Sequence, residues 1–261
     1  MKRAILSSLI VLFALSGCRS NIYYNYDSTG YVPYDPSLDN FSDIDTLSID
    51  WINGDISIAN ALSGNIIGVS EETNQYPLYY KVVNTTLNIK FARSGIYKDS
   101  FNDFNKELIL VFGDQTTFKK VEIKSVNSNI KFMGDYKSEN TIIDLVNGKL
   151  SFDYLSGKNV TISTVNANVE VDAAFSLYHY EGSEIVYDKN IINISSVSAD
   201  AKICVPEIFG YKVSFSTISG KYSSEYEEDK KHEKGNKLIN VRFSSVSGDL
   251  KMAKPTIETI E

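Results

Sequence analysis

Apolar and polar residues alternate along most of this chain in a short phrase that recurs seven times. Each copy has a small corner residue, with apolar residues four positions and one position before it, and usually three and five positions after it. Alternation with a period of two on both sides of a turn predicts strand, corner, strand. Asn and Gly suit such a corner because they tolerate a positive φ angle. The seven corner residues are Asn53, Asn127, Asn147, Asn166, Ser198, Ser219 and Ser247.

The spacing of the corners separates a stacked architecture from simple hairpins. After Asn127 the corners follow at positions 147, 166, 198, 219 and 247, so most steps are close to 20 residues. Self-similar units of that length indicate coils that stack and share one core. We therefore predict an all-β fold, a β-solenoid that resembles a parallel β-helix of about 20-residue coils. An antiparallel sandwich with similar turns is the alternative. The longer steps are interpreted as inserted surface loops, at residues 176–190 and 225–237.

A less regular stretch separates the first copy from the second. Residues 78–83 and 86–91 each have a strand-like pattern, and Asn84-Thr85 joins them. We interpret them as an edge hairpin near the N-terminal end of the column. Such a hairpin would cover an end that could otherwise pair with a strand from another chain.

The first residues predict a lipoprotein signal peptide. Basic residues at the start precede an apolar run from Ala4 to Leu15, which is typical of a secretory signal and shorter than the roughly 20 residues that span a bilayer. The ending Leu15-Ser16-Gly17-Cys18 resembles the bacterial lipobox, whose cysteine accepts a diacylglycerol after cleavage. Cys18 is therefore the predicted lipid-attachment residue. An ordinary signal peptide with a coincidental cysteine is the alternative.

These features predict four segments and an address in the bacterial cell envelope. The segments are a signal peptide at 1–17, a polar tyrosine-rich tether at 18–45, the repeat domain at 46–253 and a C-terminal tail at 254–261. The tether composition suits exposed, irregular chain, although its tyrosines could instead form an aromatic contact strip. Arg19 follows the cysteine, where an Asp often retains lipoproteins at the inner membrane. An extracytoplasmic position is therefore predicted, at the outer membrane if the cell has one.

Charge and residue types exclude several function classes. The net charge of −7 argues against nucleic acid as a partner. The chain has two histidines, His179 and His232, and neither stands at a metal-ligand spacing or offers a convincing base for a nucleophilic triad. No catalytic residue, metal or cofactor is therefore predicted, and the sequence singles out no ligand-binding residue.

Two phrases carry a resemblance to a known family. Residues 211–220 (Tyr-Lys-Val-Ser-Phe-Ser-Thr-Ile-Ser-Gly) and 243–250 (Phe-Ser-Ser-Val-Ser-Gly-Asp-Leu) resemble the putative-adhesin family of bacterial β-strand-repeat proteins of unknown function. The likeness spans about residues 47–252. This chain departs from the family pattern at Ser128, Ala167 and Ala199, where Gly is common. The resemblance implies a repeat fold and brings no catalytic residue with it.

The sequence thus predicts a lipid-anchored, non-enzymatic binding or structural module of adhesin-like character. Its expected partners are the membrane, through the lipid, and a protein or glycan of unknown identity. A polysaccharide-active enzyme on the same scaffold is one alternative, because stacked copies can bring distant carboxylates together. An envelope-stress or assembly accessory is another. Clustered Asp and Glu in a cleft would favour the enzyme, and an aromatic or featureless face would favour the binder.

Overall fold

The chain folds into β-strands, as the alternation predicts. The computed structural model describes residues 22–35, 44–61, 68–71, 77–97, 106–113, 116–226, 230–232 and 237–255. Cys18, the signal peptide and most of the C-terminal tail lie outside these residues. Within them, no helix is long and apolar enough to cross a membrane. In chain order the strands are β1 (Ile22–Tyr24), β2 (Val32–Pro33), β3 (Thr46–Asn53), β4 (Ile56–Ala61), β5 (Gly68–Glu71), β6 (Tyr79–Val83), β7 (Thr86–Lys90), β8 (Gly95–Tyr97), β9 (Leu108–Gly113), β10 (Phe118–Val171), β11 (Ala174–Ser176), β12 (Tyr178–Glu181), β13 (Glu184–Tyr187), β14 (Asn190–Ser198), β15 (Ala201–Cys204), β16 (Gly210–Thr217), β17 (Tyr222–Ser224), β18 (Lys231–His232), β19 (Leu238–Ser247) and β20 (Leu250–Ala253).

The seven repeat copies pair with one another in parallel and in register. We number the copies by their corners, so copy 1 comprises β3 and β4, copy 5 comprises β14 and β15, copy 6 comprises β16 and β17, and copy 7 comprises β19 and β20. Strands before the corner form one ladder, the first face, in which β3 pairs with β10 and β10 with β14. Strands after the corner form the second face, in which β4 and β15 pair with β10.

Strand β10 contains copies 2, 3 and 4 and winds past itself. The Asn140 amide donates to the carbonyl of Lys119 (3.2 Å) and accepts from Asn159 (3.1 Å). The Asn147 amide donates to Asn127 (2.9 Å). These partners are 21, 19 and 20 residues apart. The sequence separation between partners therefore stays close to 20 along the strand. Successive passes must run in the same direction, because in antiparallel passes this separation would change steadily along the strand.

The core lies between the two faces and follows the predicted alternation. Ile162 and Val169 are buried, whereas their neighbours Ser163 and Glu170 are partly exposed, because successive strand residues point to opposite sides. Equivalent residues stack from copy to copy. The ring centroids of Phe132 and Phe152, for example, lie 4.4 Å apart with an interplanar angle of 10°. The predicted inward and outward positions of copy 4 are confirmed.

The copies do not keep their chain order at the two ends. Copy 7 lies between copies 5 and 6, because β19 pairs in parallel with both β14 and β16, and β20 pairs with both β15 and β17. At the other end, copy 1 has the first pass of β10 on one side. On its other side lie β7, which pairs with β3, and β9, which pairs with β4. The charged run before copy 7, which the repeat spacing predicts as a surface loop, also contributes a strand to the sheet. Its short strand β18 pairs antiparallel with the outer side of β16.

Antiparallel strands join the N-terminal end of the column. The predicted hairpin is present, with β6 and β7 paired around Asn84, whose φ angle is 54°. β7 also continues the first face, since it pairs in parallel with β3. β2 pairs with β6, and β5 pairs with β9.

Residues 22–35 of the predicted tether lie against this end. Tyr24 donates a hydrogen bond to the carbonyl of Asp50 (3.2 Å), and Tyr26 donates one to the carbonyl of Ala92 (2.9 Å). Desolvation raises the pKa of both phenols, that of Tyr26 to about 12. This part of the segment therefore differs from an irregular tether, because its tyrosines find backbone acceptors on the folded domain.

Candidate binding surface

The corner residues form a ladder along the column. Asn53 stands opposite Asn127, Asn127 accepts a hydrogen bond from Asn147, and Ser198 stands opposite Ser247. Ser219 donates to the carbonyl of Val246 through its backbone N–H (3.2 Å), and Asn166 is exposed at its own corner. Stacked Asn amides of this kind satisfy one another across a strand spacing. These contacts link neighbouring copies at their corners.

The corner glycines show how closely the copies approach. Gly54 and Gly148 have φ angles of 99° and 133°, a region that favours glycine. A Cβ atom at Gly148 would collide with the carbonyl of Ser128 in the preceding copy. A side chain at position 148 is therefore excluded, because the two copies are in direct backbone contact there.

A second row of side chains holds the backbone two residues after the corner. Asp200 accepts from the backbone N–H of Asp249 (2.8 Å), and Asp249 accepts from that of Lys221 (2.7 Å). The Asn168 oxygen accepts in the same way from Asp200 (3.0 Å). The row follows the spatial order of copies 4, 5, 7 and 6. These oxygens are engaged by backbone donors, which gives this row a structural role.

Charged residues on the second face are paired across copies. Glu170 contacts Lys149 (2.6 Å) and Lys202 (3.1 Å). Hydrogen bonds from these two lysines hold the pKa of Glu170 below its ordinary value. Glu225 contacts Lys251 (2.6 Å), and that hydrogen bond lowers its pKa as well. A carboxyl group with a lowered pKa is ionised at neutral pH and is a poor general acid.

One apolar residue of every copy lies on the side of its strand opposite the inward positions, although that of copy 1, Ile52, still packs against the core. This residue stands immediately before the corner in each copy, and we call the resulting row the outward column. Val165, Val197, Val246 and Ile218 expose 43%, 50%, 48% and 82% of their surface. Single exposed apolar residues are ordinary, but these four adjoin the partly exposed Val146, Val126 and Ile52. The seven together make a continuous row about 30 Å long. The outward column comprises Ile52, Val126, Val146, Val165, Val197, Val246 and Ile218.

The outer side of the first face changes character halfway along the column. In copies 1 to 3 it carries five charged residues, among them Glu122, which contacts Lys120 (2.5 Å) and Lys124 (3.0 Å). In copies 4 to 7 the outward positions are almost all uncharged, and we call this part the uncharged face. It measures roughly 20 Å along the strands and 15 Å across. Its residues are Asn159, Thr161, Ser163, Val165, Ile191, Asn193, Ser195, Val197, Asn240, Arg242, Ser244, Val246, Lys212, Ser214, Ser216 and Ile218.

An aromatic hairpin lies at the start of the uncharged face. β12 and β13 form a separate two-stranded antiparallel sheet within the insertion at 176–190. We call it the tyrosine hairpin. Its strand β13 ends at Tyr187, three residues before β14 begins at Asn190. Both surfaces therefore belong to the same half of the column.

Of the two histidines, the structure describes side-chain contacts for His179 alone. His179 lies on the tyrosine hairpin, where its Nε2 atom is 3.3 Å from a carboxylate oxygen of Glu181. His232 belongs to β18. Among the residues that the structure describes, no group of three or more His, Cys, Asp or Glu side chains could hold a metal ion.

Sequence reasoning identified the corner residues and overlooked the surfaces. The outward column was visible as an unbroken series of β-branched residues, and its odd offset from the buried Ile positions could have shown that it points outward. The tyrosine hairpin carried a weaker signal, namely the alternating Tyr178 and Tyr180 before Glu181-Gly182-Ser183-Glu184 and the strand-like Ile185-Val186-Tyr187 after it. A Gly-Ser pair between two alternating segments is a hairpin signal.

Known proteins resemble this chain only distantly. No family model matches it, and a search of curated proteins finds no match. The solved structures that show a likeness include three with TM-scores of 0.47, 0.40 and 0.27. The first is a putative cell adhesion protein from Clostridium sporogenes, 14% identical, covering 86% of this chain and 97% of that one. The second is a putative adhesin from Bacteroides fragilis, 10% identical, covering 92% and 100%. The third is a putative lipid binding protein from Parabacteroides distasonis, 13% identical, covering 80% and 93%. At these values no property of those proteins is transferred to this chain.

Proposed function

We propose that this protein is a lipid-anchored binding module of the bacterial cell envelope, adhesin-like and non-enzymatic, built as a β-solenoid. Parallel in-register pairing of the repeat copies supports the solenoid. The lipobox at residues 15–18 supports the anchor, through Cys18, and an extracytoplasmic position.

One observation carries the binding role, namely the outward column. Buried apolar residues are explained by folding, because removing them from water stabilises the native state. The outward column gains little from that effect, since four of its members are at least two-fifths exposed. A contiguous exposed apolar row with a polar surround is typical of an interaction site. The uncharged face around it adds hydroxyl and amide groups that can hydrogen-bond a partner.

The second face does not favour the enzyme alternative. Its carboxylates accept from backbone N–H groups, as Asp200 and Asp249 do, or contact lysines, as Glu170 and Glu225 do. A carboxylate pair for glycoside hydrolysis needs one group whose pKa is raised, whereas the shifts at Glu170 and Glu225 are downward.

The binding role is tested with the Cys18→Ala protein, in which acyl chains make no contribution to sedimentation, and with isolated envelopes of its host. The variant Val197→Lys/Val246→Lys places charge in the exposed part of the outward column, where lysine can extend into solvent. Its matched control is Val82→Lys/Val83→Lys, two valines of β6 that expose 42% and 46% of their surface and lie outside the outward column. We expect saturable co-sedimentation of the Cys18→Ala parent and the control, and a loss of about tenfold or more in affinity for the first variant. Equal binding by both variants would remove the uncharged face from the proposal.

The anchor is tested separately. Cys18→Ala should abolish the incorporation of labelled fatty acid and release the protein from membranes, because attachment depends on the buried acyl methylenes. A Cys18→Ala protein that still takes up label would show that the lipid is elsewhere or that the signal is an ordinary one.

A further inference from the structure

The tyrosine hairpin has an exposed aromatic side. In its register Tyr178 stands opposite Tyr187 and Tyr180 opposite Ile185, and cross-strand partners share one side of a two-stranded sheet. Tyr178, Tyr180 and Ile185 expose 56%, 65% and 50% of their surface. The rings of Tyr178 and Tyr180 are 6.0 Å apart and nearly perpendicular.

Folding does not account for this side. An isolated two-stranded hairpin is marginally stable in water, and ordering its residues costs conformational entropy. Exposed rings offset little of that cost. Copies 2, 3 and 4 follow one another at steps of about 20 residues without such an excursion, whereas the step from Asn166 to Ser198 contains it. A segment with three tyrosines that adds little to the core is better explained by what it contacts outside.

Ring contacts fix the base of the hairpin to the column. Tyr187 meets Phe209 at 5.7 Å, and Phe209 meets Phe175 at the same distance. Lys237 lies over the Tyr187 ring, with Nζ 4.7 Å from its centroid. The backbone N–H of Asp188 donates to the carbonyl of Leu177 (2.7 Å), which closes the base. The exposed rings therefore stand on a supported element, so a ligand loses less affinity to the ordering of the protein.

We propose that the tyrosine hairpin binds an uncharged polysaccharide chain by stacking sugar rings on Tyr178 and Tyr180. An aromatic face carries partial negative charge, and the apolar face of a pyranose presents C–H groups of the opposite polarity. The phenol hydroxyls of Tyr178 and Tyr180 can hydrogen-bond sugar hydroxyls, whereas His179 and Glu181 lie on the other side of the hairpin. This proposal names the partner class of the proposed binding module and rests on that function.

The surroundings favour a glycan over a membrane or a protein. Residues 178–188 carry three carboxylates, Glu181, Glu184 and Asp188, and no lysine or arginine, so this segment would be repelled by an anionic lipid surface. The carboxylates also disfavour an anionic glycan. Protein hot spots occupy packed pockets ringed by further contacts, whereas Tyr178 and Tyr180 stand on a narrow ribbon. Stacking along a polymer chain fits that shape.

Native gels containing hydroxyethyl cellulose, galactomannan or amylose test the proposal with the full-length protein in detergent. The binding variant is Tyr178→Ala/Tyr180→Ala, and the matched control is His179→Ala/Glu181→Ala, which changes the opposite side of the same strand. We expect retardation of the wild type in at least one gel. The apparent dissociation constant should rise at least about tenfold in the tyrosine variant and less than about threefold in the control.

The outcomes separate this inference from the proposed function. Equal mobility of the wild type with and without all three polysaccharides would overturn the glycan proposal, as would equal retardation of the two variants. If envelope co-sedimentation persists in either case, the binding module stands and the hairpin contacts a protein or nothing. If the tyrosine variant alone loses retardation while the Val197→Lys/Val246→Lys protein keeps it, the hairpin binds glycan independently of the outward column.

Discussion

Two apolar columns run the length of this molecule, and they differ only in the side of the strand on which they lie. The inward column, four residues before each corner, comprises Ile49, Ile123, Ile143, Ile162, Ile194, Phe243 and Phe215, and all but Phe215 are buried. The outward column lies three residues later in each copy. An odd separation places the two on opposite sides of a strand. An apolar residue that is repeated in every copy therefore indicates a core position only when an even number of residues separates it from a buried residue of the same strand.

The comparison also separates two physical roles for similar side chains. Inward residues stabilise the fold through burial. Outward residues keep the strand propensity of β-branched side chains and remain available to a partner. Stability and binding should therefore respond oppositely to changes in the two columns.

The largest loss of stability is expected when a whole copy, with its buried side chains, is removed. A chain that ends at Lys237 lacks copy 7, and with it the buried side chains of Val241, Phe243, Leu250 and Met252. Because copy 7 lies between copies 5 and 6, copy 6 should lose its parallel partner and unfold too. Hydrogen exchange would show loss of protection at residues 210–217 as well as at 190–198. A chain that ends at Pro255 is the control, and retained protection of 210–217 in the shorter chain would contradict the observed copy order.

Truncation of one inward side chain should have the next largest effect. Ile162 is fully buried between neighbouring copies, so Ile162→Ala should lower the free energy of unfolding by about 2–4 kcal/mol. Urea or guanidinium melts measure this. A decrease of less than about 1 kcal/mol in the free energy of unfolding would mean that neighbouring side chains move into the cavity. The inward column would then not be tightly packed around Ile162.

The matching change in the outward column should cost far less. Val197 is half exposed, and Val197→Ala should change stability by less than about 0.5 kcal/mol. The same melts apply, with Ile194→Ala three residues earlier on the same strand as the internal comparison. Similar costs for the two variants would erase the distinction between the columns.

The smallest effect on stability is expected for a change on the second face, where charged side chains point outward. Glu170→Gln removes the contacts with Lys149 and Lys202 and should cost about 0.3 kcal/mol at neutral pH. The folded-state pKa of Glu170 is lowered, so its contribution is present above the ordinary glutamate value of 4.5 and is lost as the pH falls through the folded-state pKa. The wild type and the variant should therefore converge in melts carried out below that value. A difference that grows in acid would contradict the pairing.

The local pattern of apolar and polar residues predicted where the strands lie along the chain, but it could not predict which copies pair with one another. Alternation fixed which side Ile162 and Glu170 face, and the repeat spacing placed Asn147 next to Asn127. The phrase around Ser247 resembles the others, however, so nothing in it reveals that copy 7 lies between copies 5 and 6. That arrangement depends on the run before Leu238 crossing the outside of β16, a tertiary property. The packing of Tyr24 and Tyr26 was missed for a similar reason, because their acceptors are backbone carbonyls.

The unusual order of the copies has a mechanical consequence. Tension beyond residue 255 reaches copy 7, whose β20 lies between β15 and β17 and whose β19 lies between β14 and β16. Tension from the N-terminal side first meets the edge strands β1 and β2, which pair with β8 and β6, and reaches β3 only after they detach. β3 is hydrogen-bonded on both sides, to β7 and to β10. A strand at a sheet edge can be unzipped one bond at a time, but a strand between two parallel partners must shear past both ladders at once. Pulling at the C-terminus therefore loads an interior strand directly, and this geometry resists unravelling by a steady force.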